Sequence, residues 1–282
     1  MLRLNRRIAS CAAAIVFAAL FGTAAVALTV DEAKQNGVRL GFPNEPPNTF
    51  VDADGKVTGA HNELAIAVLG RMGVSKVEGV VMDFASLIPG LLADRLDIIP
   101  AIFIRPARCE QVIFSEPTQK TGSAVLVAAG NPKNLHGYDD LVQSDAVVAV
   151  MAGAVEYGYA QKAGIPEERI VQLQDQAGLM EGLKVGRVDA VILTPSSVTL
   201  MADNSGGAAE RALPFDVPAF ASSYGGMAFR PGDTELRDAF NAALKDFIGT
   251  PEFMAIMAPL AWDEERLPGA MTTAEQCTVP PA

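Results

Sequence analysis

The sequence predicts an α/β fold built as two lobes, each a mainly parallel sheet flanked by helices, with a cleft between them. Three observations carry this. Short apolar runs alternate with helix-spaced segments, the alternation stops near residue 121 and restarts, and a strongly amphipathic helix follows the second run. Strand–helix–strand repeats place strands parallel and helices on the sheet faces. A chain of 282 residues is long enough for two modest lobes with a core each.

Val38-Arg39-Leu40-Gly41-Phe42 is the first strand and runs into the stiff Asn44-Glu45-Pro46-Pro47. Residues 52–55, rich in Asp and Gly, form a turn. Leu64, Ala65, Val68, Leu69 and Met72 recur at helical spacing over 62–72. A strand over 77–82, a short helix over 86–93 and a nearly continuous apolar strand over 97–103 complete the first run. The second run has strands over 123–129, 146–150, 170–173 and 190–193. Between and after them come a helical link over 135–141 and helices over 155–163, 178–184 and 197–202. A strand over 225–229 then leads to a helix over 234–248, with Leu236, Phe240, Leu244 and Phe247 on one face. The expected first lobe is 36–121 with 224–282, and the second is 122–223. Sites in such folds lie in clefts and at the C-terminal ends of parallel strands.

Composition narrows the function. Half the residues are hydrophobic and a fifth charged, as in a globular protein, and 22 Lys and Arg against 33 Asp and Glu give a net charge of −11. So acidic a chain is ill suited to nucleic acid or to an anionic membrane surface. Arg3, Arg6 and Arg7, an apolar run over 8–21, and Ala25-Val26-Ala27 read as a cleaved export signal over 1–27. The run is short for a bilayer span. Ile8-Ala9-Ser10-Cys11 imitates a lipoprotein motif, but its cysteine precedes most of the apolar run rather than following it. The expected location is the periplasm. Cys109 and Cys277 remain after cleavage, and two cysteines in an exported chain point to one disulfide, the alternative being two buried thiols. His61 and His136 stand far from any cysteine pattern, so neither a metal nor a cofactor is expected.

No nucleophile elbow, phosphate loop, zinc helix or dinucleotide fingerprint is present, and the chain reads as a binder rather than an enzyme. The candidates are single residues at strand ends. Glu45, held by prolines, is either a partner for a cationic group or a solvated loop acid. Arg108 offers a planar fork for a carboxylate, or else lies on the surface, as Arg105 is expected to. Gly153-Ala154-Val155 opens a helix whose free N–H groups suit an anion, or is an ordinary turn. Phe84 and Phe103 offer faces to a cation, or pack in a core.

Asp97-Ile98-Ile99 leading to Arg105-Pro106-Ala107-Arg108, then Phe114-Ser115-Glu116-Pro117 and Gly186-Arg187-Val188-Asp189-Ala190, resemble the solute-binding proteins of ABC importers, polar amino-acid type (family 3). The resemblance extends over essentially the whole exported chain. It implies a periplasmic binding protein-like fold of type II, a monomer that closes on a zwitterionic small molecule and delivers it to ABC permease subunits. Asn44-Glu45-Pro46-Pro47, Asp54-Gly55-Lys56-Val57-Thr58-Gly59, Ile88-Pro89-Gly90-Leu91, Phe103 to Cys109, and Cys277 resemble in particular the ectoine/hydroxyectoine-binding proteins. By that resemblance Arg108 grips the ligand carboxylate, Glu45 pairs with ring nitrogens, Phe84 and Phe103 wall the ring, and the start at Gly153, Ala154 and Val155 adds backbone donors. Thr194 stands where ordinary amino-acid binders usually carry the acid for the α-ammonium, and Phe103 where they carry a hydroxyl. That exchange favours a delocalised or alkylated cation, such as an ectoine or a related compatible solute. Asn48 replaces an aromatic wall and is placed to bond a ligand hydroxyl, and Ala154 and Val155 replace an expected hydroxyl residue. The other readings are an ordinary amino-acid binder, a sensor partner, and a cyclohexadienyl dehydratase-like enzyme with Glu45 as general acid.

Overall fold

The computed structural model describes residues 27–278, so the expected leader lies outside the described residues apart from Ala27. Strand β1 (Val38–Phe42) is followed by a hairpin of β2 (Phe50–Val51) and β3 (Val57–Thr58) around the Asp-rich turn. Helix Ala60–Arg71 leads to β4 (Val77–Val81), and helix Leu87–Leu92 to β5 (Ile98–Phe103). Next come β6 (Ile113–Phe114) and β7 (Gln119–Gly122). The second half holds β8 (Ala124–Ala128), β9 (Val148–Met151), β10 (Ile170–Leu173), β11 (Ala190–Leu193) and β12 (Ala209–Arg211). Strand β13 (Ser222–Phe229) returns to the first sheet.

The first sheet has the order β4-β1-β5-β13-β6, with β7 also on β13, and the second has β10-β9-β11-β8-β12. Strands β4, β1 and β5 are mutually parallel, and β13 runs against β5, β6 and β7. In the second sheet β10, β9 and β11 are parallel, and β8 runs against β11 and β12. Each sheet thus has a single reversed strand. Strands β7 and β8 are separated by Ser123 alone, so the chain passes straight from one sheet into the other. Strand β13 comes back beside β7, pairing Ser222 with Gly122 through to Gly225 with Gln119.

Matching aspartates pin both sheets. Asp97, just before β5, accepts the backbone N–H of Arg39 at 2.8 Å, and Asp189, just before β11, accepts that of Val147 at 2.8 Å. Each carboxylate therefore fixes the register of a parallel strand against its neighbour. Arg39 and Arg230 also donate to Asp97, which keeps that buried charge paired.

Apolar side chains cover both faces of each sheet. One face of the first packs on helices Ala60–Arg71, Thr234–Phe247 and Pro251–Met257, and the other on Leu87 and Leu91. Leu236, Phe240, Leu244 and Phe247 are buried along one face of their helix, as their spacing predicts, and Phe240 meets Phe229 edge-on at 5.6 Å. The second sheet carries cores around Val148 and Val150 on one face and Ala149 and Met151 on the other.

Several elements differ from expectation. Helix Val30–Asn36 precedes the expected lobe boundary at 36, and Leu28 N–H beside it donates to Asp233 at 2.7 Å. The expected loop after β5 contains a one-turn helix, Pro106–Cys109, with proline at its start. Strand β7 reads Gln-Lys-Thr-Gly and has no apolar alternation to reveal it. No helix among the described residues is long and apolar enough to cross a membrane.

Cys109 and Cys277 form a disulfide across 168 residues of sequence, tying helix Thr273–Thr278 to the segment after β5. Closing so long a loop costs the unfolded chain entropy, about 5 kcal/mol as an upper figure. Reduction, or Cys277→Ala, is expected to lower the melting temperature in calorimetry. An unchanged melting temperature under reduction would show that the bridge contributes nothing to stability.

Candidate functional site

The loop after β1 is built to hold one carboxylate. Glu45 N–H donates to Thr49 O at 2.7 Å, and Asn48 and Thr49 N–H donate back to Glu45 O at 2.9 and 3.1 Å. Thr49 Oγ1 donates to Pro43 O. The same loop caps helix Ala60–Arg71: Ala60 and His61 N–H, which have no partner inside the helix, donate to Pro47 O and Asn48 O. Gly59 makes this fit possible. It has φ +97°, and a Cβ there would stand 2.7 Å from Asn48 O.

Across the cleft, helix Pro195–Asp203 begins right after β11 and presents Thr194, Ser196 and Ser197. Ser197 Oγ donates to Glu45 Oε1 at 2.7 Å. Asn48 Nδ2 reaches Ser197 Oγ at 2.7 Å, Glu45 Oε1 at 3.2 Å and Thr194 Oγ1 at 3.3 Å, and Ser196 Oγ donates to Asn48 Oδ1 at 3.1 Å. Gln176 Nε2 donates to Pro46 O at 3.2 Å. Segments that follow strands of the two sheets thus meet through a compact polar cluster.

The cavity between them is lined by Glu45, Asn48, Phe84, Phe103, Ala154, Val155 and Thr194, all expected from sequence. Arg108 and Gly153 do not line it. Arg108 Nη1 donates to Phe103 O at 2.9 Å and Nη2 to Gly153 O at 3.0 Å, so this arginine fastens one lobe to the other. Its guanidinium carbon lies 5.5 Å from the Phe84 ring centroid, and burial pulls it down to about 10, still protonated at neutral pH. Gly153 has φ +77°, and a Cβ there would stand 3.0 Å from Ala85 Cα. Only glycine lets the two lobes approach so closely at this point. Arg105 is half-buried rather than a surface residue, and its Nη2 donates to Tyr159 Oη and Ser223 Oγ.

Other lining residues carry no local signal in the sequence: Glu156, His61, Gln119, Trp262 and Arg266. Glu156 heads helix Glu156–Ala163 and is 3% exposed. Burial pushes its carboxyl up to about 7, against its own backbone N–H, Arg108 and Arg105. Burial also pushes Glu45 up to about 7, opposed by the Ser197 and Asn48 hydrogen bonds and reinforced by Glu156. Glu45 is therefore a buried acid held through Oε1 by neutral donors, with no cation among the groups that shift it. Trp262 and Leu260 come from the C-terminal segment, where residues 258–260 pack against helix Pro195–Asp203.

A cleft between two mixed α/β sheets joined by paired strands defines the type II two-lobed periplasmic binding proteins. The family model for bacterial extracellular solute-binding proteins, family 3, matches residues 38–259, and the chain belongs to that family. It is 37% identical over 284 residues to the "Probable amino-acid ABC transporter periplasmic-binding protein y4tE" of Sinorhizobium fredii, covering 96% of this chain and 93% of that one. Among solved structures it is similar to EhuB in complex with hydroxyectoine (TM-score 0.80, 31% identity, 89% of this chain and 98% of that one). It is also similar to an ancestral amino acid-binding protein, AncCDT-1, a precursor of cyclohexadienyl dehydratase (TM-score 0.71, 27% identity, 81% and 97%).

His61 gives this site a pH signature. Its ring is 3% exposed, Nδ1 has no hydrogen-bond partner among the described residues, and burial lowers it from 6.5 to about 4. Between those values the unfolded chain holds the proton and the folded protein does not. Its contribution to stability is thus fully present above pH 6.5 and lost as pH falls toward 4, by up to about 3 kcal/mol. His61→Gln is expected to flatten the fall in melting temperature over that window. An acid limb identical to wild type would contradict the assignment.

Proposed function

We propose that the protein is the extracytoplasmic receptor of an ABC importer, exported to the periplasm through residues 1–27. It captures a small organic solute bearing a positive charge and hands it to the permease. The ligand class includes ectoine, hydroxyectoine and related cationic compatible solutes or amino-acid derivatives. Glu45 is the observation that carries this reading. Burying an ionised carboxylate without a counter-charge is costly, and a ligand cation in the cavity supplies that charge. Phe84 and Phe103 on the same wall suit a delocalised cation, and Asn48 with Thr194 suits a ligand hydroxyl or N–H group. The likeness to EhuB supports the ectoine members of the class.

Under this reading the lobes are 36–121 with 224–282, joined by helix Val30–Asn36, and 122–223. They move about the paired segments 119–122 and 222–225. Arg108, Gln176 and the Asn48 cluster act as latches that form on closure. One observation favours a second reading. A cleft carboxyl held near pH 7 is what a general acid needs, and would suit a dehydratase on this scaffold.

Calorimetric titration of the protein, stripped of bound ligand, decides between these. The panel is ectoine, hydroxyectoine, glycine betaine, proline, arginine and glutamate. Binding confined to solutes with a positive group not cancelled beside Glu45 is expected, with ligand recovered chemically unchanged. Glu45→Gln should weaken such binding roughly ten-fold or more, the scale of one hydrogen bond to a charged group. Tight binding of glutamate alone would contradict the reading, and conversion of the ligand would establish the enzyme.

A further inference from the structure

The cleft holds a second acid that the sequence motifs do not account for. Glu156 lines the cavity, is buried, and starts an eight-residue helix at the end of the turn Gly153-Ala154-Val155. A helix start with nearby arginines is where an anion is stabilised. Here the anion is the chain's own. Its own backbone N–H, Arg108 and Arg105 all favour the charged form of the Glu156 carboxyl, although burial outweighs them and holds it at about 7.

Two of the groups suited to an incoming carboxylate, the Ala154 N–H and Arg108, are already committed. Ala154 N–H donates to Met151 O at 3.1 Å. Arg108 gives Nη1 to Phe103 O and Nη2 to Gly153 O, and does not line the cavity. The charged residues on the cavity lining are Glu45, Glu156 and Arg266. Arg266 donates to Leu260 O at 3.0 Å and is shared with an outer groove that holds Lys120, Asp263 and Glu265. Of the two acids, only Glu156 has arginines among the groups that favour its charged form, while Glu45 has only the neutral donors Ser197 and Asn48.

We propose that Glu156 occupies, within the chain itself, the place a ligand carboxylate would take, so that the cleft selects a small organic cation carrying no carboxylate. The proposal rests on the cation reading given above and narrows it. The ligand neutralises Glu45, and Glu156 replaces the anionic half of a zwitterion. A zwitterion must instead bring its carboxylate up against Glu156, a like-charge contact in a buried site.

Matched pairs differing only in the carboxylate test this: arginine against agmatine, and ectoine against 2-methyl-1,4,5,6-tetrahydropyrimidine. In calorimetric titration of the stripped protein, the carboxylate-free member of at least one pair should bind roughly ten-fold tighter or more, and in neither pair should the carboxylate member win. Glu156→Gln should shrink or invert that ratio while the variant keeps its wild-type melting profile. A wild-type protein that binds the carboxylate member tighter, or a ratio that Glu156→Gln leaves unmoved, overturns the inference and leaves the cation reading standing. Failure of all four compounds overturns the cation reading, and this inference with it. The wild-type ratio decides the matter even if the variant does not fold.

Discussion

A carboxylate buried between two lobes and held only by neutral donors is the constraint on which this structure turns. Glu45 lies in the loop after β1 of the first sheet, and its bond from Ser197 comes from a helix that follows β11 of the second. Removing a carboxylate from water is repaid only when charge or hydrogen bonds replace the lost solvation. Ser197 and Asn48 supply part of that, and in the proposed function a ligand cation supplies the rest. Ligand and closure are thereby linked, because a solute can shift the lobes only by interacting differently with the open and closed forms. The loop 45–49, its seat on helix Ala60–Arg71 and the glycine at 59 all serve to fix this one side chain.

Both arginines of the motif bond protein groups in this structure. Arg108 spans the cleft to Gly153 O, and Arg105 bonds Tyr159 and Ser223 beside the strands that connect the lobes. Both work on protein groups, and both lend their field to Glu156. Burial raises both cleft acids to about 7, and they differ in what opposes it: neutral donors at Glu45, arginines at Glu156.

Much of this was legible in the sequence. The strands at Val38–Phe42 and Ala190–Leu193, and the helix whose buried face is Leu236, Phe240, Leu244 and Phe247, follow from local hydrophobic pattern. So do the strand-end positions of Glu45, Phe84, Phe103 and Thr194, because parallel strands deliver their C-terminal ends to the cleft. What local pattern lacks is depth. An acid in the first turn of a helix ordinarily just complements the helix dipole, so nothing near Glu156 says that it faces a cavity. Trp262 and Arg266 reach the site through a C-terminal segment with no periodicity, and β7 is polar because it connects lobes rather than filling a core. The direction of the Arg108 side chain depends on Gly153 O, 45 residues away, which no spacing rule encodes.

The central claim is that closing over Glu45 requires a positive charge. Small-angle X-ray scattering of the stripped protein at pH 8, where Glu45 is ionised, tests it most directly. The account predicts an expanded, open particle that contracts when the tightest-binding cation of the titration panel is added, while Glu45→Gln is already more compact without ligand. A wild-type protein equally compact at pH 8 with and without the cation would contradict it.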